Sequence, residues 1–153
     1  MPPLSDGALL VCANHISVLD PVLICAVLRK HQPRIMAKKE LFSVPVLGWL
    51  VGQLGAYPID RKGANADVIL KTIKMLEDGY CVGMFPQGTR HPGENPEGTE
   101  VKCGISMMVK HTKATVLPIG IYTKDYKMKP FRKVYVNIGK AMSCESLQIA
   151  DSS

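Results

Sequence analysis

The sequence predicts a single α/β domain in which a largely parallel, mixed β-sheet is covered by helices. Short β-rich runs alternate with stretches of helical periodicity along the whole chain, the rhythm of strand–helix–strand units. Three of the runs, "ALLVCA" (8–13), "YCVGMF" (80–85) and "ATVLPIGIY" (114–122), are almost continuously apolar, as strands covered on both faces are. At 153 residues, 46% of them apolar, the chain holds enough material for one sizeable core.

The elements follow in order. The first strand, 8–13, gives way to the polar stretch "NHISVLD" and then to Asp20-Pro21, an aspartate in the N-cap place and a proline in the first helical one, ahead of "VLICAVLRK". "RIMAK" (34–38) and "GAYPID" (55–60) read as short strands. Between them "VPVLGWLVGQLGA" (44–56) carries no charge and holds the single tryptophan, Trp49. It is too short to cross a bilayer and reads as a core helix or as a segment lying in a membrane interface, with the core favoured. Residues 64–79 set Val68, Ile69, Ile73 and Leu76 at helical spacing and stop at Gly79. After strand 80–85 come a Gly/Pro-rich loop (86–98), the helix "CGISMMVKHT" (103–112), strand 114–122 and a last strand, "KVYVNIG" (133–139).

Composition narrows the function classes. The net charge of +6 is concentrated in "RKHQPRIMAKKE" (29–40) and "KDYKMKPFRK" (124–133), which solvate a surface or face an anionic ligand, nucleic acid or an anionic membrane. Only 6% of residues are aromatic and no nucleic-acid-binding motif is present, which weighs against nucleic acid. Five cysteines, Cys12, Cys25, Cys81, Cys103 and Cys144, form no CxxC pair and read as reduced, mostly buried thiols of a cytosolic protein. The four histidines are scattered without ligand spacing, so no metal site is expected. No apolar run is long enough to span a membrane, and "MPPLSDG" is not a signal peptide.

In parallel sheets, ligands gather where strands hand over to helices at their carboxyl ends, and "NHISVLD" and "PQGTR" both fall at such junctions. His15 and Asp20 are five positions apart; on a straight helix that spacing turns them about 140° away from each other, so they meet only across a turn. The pair reads as a turn residue beside a helix cap, or as a general base and its partner. Two further stretches favour the second reading: "GAYPIDR" (55–61) and "FPQGTR" (85–90) each bring an arginine to a strand end beside a Gly or Pro turn. Arginine binds phosphate bidentately and glycine lets backbone amides approach an anion, so an anion site beside a base is expected. No nucleophile elbow is found, and Ser17 reads as a local cap.

"NHISVLD", "GAYPIDR", "FPQGTR" and "VLPIGI", in this order, resemble the four motifs of the glycerolipid acyltransferase family. The stretch "MAKKELFSVPVLGWLVGQLGAYPIDRKG" resembles it as well, and the likeness runs over about residues 7–122 of one domain spanning 1–153. The resemblance implies that His15 is the general base and that Asp20 orients it. It implies an acceptor site of Asn14, Gly55, Arg61, Gln87, Gly88, Thr89, Arg90 and Pro118, with Arg61 on the phosphate. The implied reaction moves a fatty acyl group from a thioester of coenzyme A or acyl carrier protein to the free hydroxyl of lysophosphatidic acid. The thioester is a co-substrate and no other cofactor is implied. The enzyme would act peripherally at the cytoplasmic face of the cell membrane, through its basic stretches and the Trp49 segment.

The sequence departs from the family at Gln87, where glutamate is usual. An amide keeps the reach of a carboxylate, loses its charge and gains a donor. This motivates an alternative, a weak or inactive member that binds anionic lipid without turnover. The third expectation, a basic nucleic-acid-binding domain, leaves His15 without a role.

Overall fold

The computed structural model describes residues 7–59, 65–101 and 104–147. Six strands, β1 (Leu9–Ala13), β2 (Arg34–Lys38), β3 (Tyr57–Ile59), β4 (Cys81–Met84), β5 (Thr115–Thr123) and β6 (Val134–Ile138), form one sheet in the order β3-β2-β4-β1-β5-β6. All neighbours are parallel except β5 and β6, as the mixed, largely parallel reading expects.

The apolar strands are explained by what covers them. Along β1, Leu9, Val11 and Ala13 face the cluster that includes Ile24 and Leu28, on and just after α1 (Asp20–Val27). Leu10 and the half-buried Cys12 face the opposite cluster, with Ile73 and Leu76 of α3 (Asn65–Glu77) and Met108 and Val109 of α4 (Gly104–Thr112). With helices on both faces, neither side of a central strand can be polar. Leu10, Val11, Val82, Ile24 and Val109 are wholly buried, each worth about 1.5–3 kcal/mol relative to exposure.

Two expectations need correction. The helix at Asp20-Pro21 is present, but Leu19 occupies the N-cap place with no side-chain cap, and Asp20 is already helical. Its carboxylate instead bonds amides that precede the helix. The 44–56 run is no core helix either. It forms α2 (Leu47–Gln53), which has no buried residue. The cause is local. Gly48 lies against the backbone of Phe42 in the preceding 3₁₀ turn, where a Cβ would collide. So α2 packs on that turn, and Trp49, 68% exposed, faces outward with Leu47 and Leu50. Val46, 79% exposed at φ 65°, leads in through the strained form of γ-turn, closed by Leu47 N–H donating to Pro45 O at 2.7 Å.

Candidate active site

The site is built at the carboxyl ends of β1 and β4. Just past β1, Asn14 continues the sheet with its side chain: Nδ2 donates to Ile121 O and Oδ1 accepts from Ile121 N–H, both at 2.7 Å. That double bond to β5 fixes where the chain leaves the sheet. His15 follows, 13% exposed, its ring stacked on Phe85 with centroids 3.9 Å apart and planes 14° apart.

The turn between His15 and Asp20 is closed by one atom. Asp20 is fully buried, and its Oδ2 accepts from Ile16 N–H at 2.6 Å and Ser17 N–H at 2.8 Å and lies 2.8 Å from His15 Nδ1. A carboxylate oxygen accepting at Nδ1 selects the tautomer protonated there, leaving Nε2 with a lone pair that can accept a proton. Oδ1 is buried and has no hydrogen-bond partner among the described residues. Ser17 is a local cap, its Oγ accepting from Leu19 N–H at 3.2 Å.

Gln87, only 7% exposed, is a clamp. Its Oε1 accepts from His15 N–H at 2.7 Å, and its Nε2 donates to Thr99 Oγ1 at 2.5 Å; that hydroxyl in turn donates to Pro96 O at 2.7 Å. His91 N–H donates to His15 O at 2.8 Å. Both faces of the His15 backbone are therefore tied to the loop after β4. Gly88, at φ 73°, turns that loop, with its N–H on Phe85 O at 2.9 Å. A cleft of about 590 Å³ opens beside the turn, lined by Ser17, Thr89 and Arg90 and, from the β5–β6 connection, Lys127, Met128 and Lys129.

The residues expected at the site thus separate. His15, Asp20, Gln87 and Gly88 are brought together, and Thr89 and Arg90 line the cleft. Asn14 supports the turn from beneath, both ends of its amide engaged. Gly55 is elsewhere: at φ 73° it ends α2, its N–H on Gly52 O at 2.9 Å. It precedes β3 at the amino end of that strand, whereas His15 follows β1 at its carboxyl end, so the two lie toward opposite ends of the parallel strands. Pro118 lies within β5 opposite Cys12, its carbonyl accepting from Gly139 N–H. Arg61 lies outside the described residues. Sequence reasoning missed Phe85 and Thr99; the aromatic side chain at a strand end was the available signal for the first.

Known proteins resemble this chain in sequence and in fold. A protein-family model described as Acyltransferase matches residues 3–122. The chain is 30% identical over 150 residues to the 1-acyl-sn-glycerol-3-phosphate acyltransferase of Streptococcus pneumoniae, covering 95% of this chain and 54% of that protein. Against the Bacillus subtilis protein of the same name it is 30% identical over 129 residues, 84% of this chain and 63% of the other. The crystal structure of the 1-acyl-sn-glycerophosphate (LPA) acyltransferase PlsC from Thermotoga maritima superposes with a TM-score of 0.74 at 25% identity, covering 95% of this chain and 59% of that one. The chain therefore spans a little over half the length of these relatives.

Proposed function

This chain belongs to the acyltransferase family, and on that premise we propose that it transfers a fatty acyl group from a thioester to the free hydroxyl of lysophosphatidic acid, giving phosphatidic acid. The observation that carries the proposal is the His15–Asp20 contact at 2.8 Å, which leaves Nε2 as the free nitrogen of a partly exposed ring. Nε2 takes the proton of the acceptor hydroxyl as that oxygen bonds to the acyl carbon. The carbon–sulfur bond then breaks, and the thiolate leaves with the proton returned by the imidazolium. A positioned base contributes about 10²–10⁴-fold, and holding thioester and alcohol together contributes more. The thioester, of coenzyme A or acyl carrier protein, is a co-substrate, and the reaction needs no further cofactor.

The relatives named for this acceptor support its identity, and Arg90 at the cleft suits its phosphate. Peripheral contact with the cytoplasmic face of a membrane is part of the same proposal. It is supported by the exposed apolar side chains of Val44, Val46, Leu47, Trp49 and Leu50 near the exposed Lys38 and Lys39, a pairing of apolar area and positive charge that suits an anionic bilayer surface.

The test is thiol release from palmitoyl-coenzyme A and from palmitoyl-acyl carrier protein in detergent micelles with and without lysophosphatidic acid, with the lipid product identified by mass spectrometry. Acceptor-dependent release with phosphatidic acid as product is expected. Binding of the acceptor without release from either thioester carrier would instead favour the non-catalytic lipid-binding alternative.

A further inference from the structure

The basic stretch 124–133 has no role in the chemistry above, yet it is held in a costly shape. Asp125, Tyr126 and Phe131 all have positive φ, at 61°, 50° and 62°, a region that non-glycine residues enter only when their surroundings hold them there. The surroundings do so. Thr123 Oγ1 donates to Lys133 O at 2.8 Å, and Arg132 Nη1 donates to Lys124 O at 3.0 Å and Asp125 Oδ2 at 3.4 Å. Gly93 N–H donates to Tyr126 O at 2.9 Å, joining the connection to the loop after β4.

That junction aims a side chain. Gly93 is at φ 83°, and a Cβ there would lie 2.6 Å from Lys127 Cε, so the lysine stem lies across the glycine. Lys127 and Lys129 form one wall of the cleft and Arg90 stands on another, with no carboxylate among the lining residues. Among the described residues none of the three cations takes part in an ion pair. Cations gathered in a cleft raise the local concentration of an anion; arginine meets phosphate oxygens in pairs and lysine as a point charge.

Beside Arg90, which the family resemblance already places at the acceptor, we propose that Lys127 and Lys129 add a phosphate-ester contact of their own, with the β5–β6 connection as its preformed wall. It takes a phosphate of one of the two substrates, either the acceptor's or those of the nucleotide end of coenzyme A. The site rests on the acyl-transfer reading for its place in a reaction, but binding can be tested without turnover.

The experiment compares the native chain with Lys127→Gln/Lys129→Gln and with Arg29→Gln/Lys30→Gln, an equal charge change at the opposite end of the sheet. Calorimetry measures binding of adenosine 3′,5′-bisphosphate and of glycerol 3-phosphate at low and high salt, alongside melting temperature. The native chain should bind at least one probe. Lys127→Gln/Lys129→Gln should weaken that probe about tenfold, the upper end for two exposed charge contacts, with the loss shrinking at high salt. The control should bind as the native chain does. Whichever probe is weakened identifies the phosphate, and loss of both marks a site shared by the two. No binding of either probe by the native chain, no loss in the lysine variant, or an equal loss in the control would overturn the proposal. Probe binding through these lysines by a chain that transfers no acyl group would refute the acyl-transfer reading and leave the site standing.

Discussion

Replacing Gln87 tests whether its amide is a clamp or a lesion. In Gln87→Leu the side chain keeps its bulk, but His15 N–H loses its acceptor and Thr99 Oγ1 loses a donor, bonds of 2.7 and 2.5 Å. An orphaned, partly buried N–H costs about 1–3 kcal/mol and the second bond about 1, so a loss of about 3 kcal/mol is expected. That corresponds to roughly 6–12 °C in melting temperature for a domain of this size. Because the freed peptide carries the proposed base, turnover should fall about 10²-fold, the effect of a displacement near 1 Å. Gln87→Glu should do much less. Its carboxylate still accepts from His15 N–H, and the Thr99 hydroxyl can turn from Pro96 O to donate to it, for a net loss of about one neutral bond, ~1 kcal/mol. Melting by circular dichroism and thiol release under saturating substrates measure both. Unchanged stability and turnover in Gln87→Leu, or turnover in Gln87→Glu well above native, would refute the clamp.

Three other outcomes are expected. Asn14→Ala removes both bonds to Ile121 and should cost about 2 kcal/mol, read as a lower denaturation midpoint with unchanged slope. Trp49→Ser should sharply reduce co-sedimentation with anionic vesicles while altering stability by no more than about 0.5 kcal/mol, since the side chain is largely exposed. Burial pushes the Cys12 and Cys81 thiols and the Tyr57 hydroxyl up to about 12. Each then binds its proton more tightly folded than unfolded, so its contribution to stability is complete below the unfolded value, 9.0 or 10.0, and is lost as pH rises toward 12. Melting temperature should fall across that alkaline window, less steeply in Tyr57→Phe, and iodoacetamide should leave Cys12 and Cys81 unmodified near pH 8 until the chain unfolds.

The architecture was legible because burial on both faces leaves a strong trace: "ALLVCA" and "YCVGMF" admit no polar residue, and such strands belong in the middle of a covered parallel sheet. His15 and Asp20 were legible because their spacing is useless on a helix and useful across a turn. What Asp20 bonds was not, since a carboxylate ahead of proline fits a forward cap as well as a backward tether, and only the αR backbone of Leu19 decides. That Gly55 ends α2 at positive φ was not legible either: a glycine there serves an anion loop or a helix stop, and the sequence is the same for both. The Gln87–Thr99 bond depends on how a twelve-residue separation folds back, which no local pattern encodes. The α2 run shows the limit of hydropathy, because core helices and interfacial segments share a composition and differ only in what covers them.

The most direct test of the central claim is acyl transfer by native and His15→Ala chains of matched melting behaviour, following thiol release and phosphatidic acid formation together. The account predicts that both signals depend on lysophosphatidic acid and fall together by about 10²–10⁴-fold in His15→Ala, with acceptor binding retained. Transfer in His15→Ala at a rate near that of the native chain would contradict it, and the base would have to be sought elsewhere.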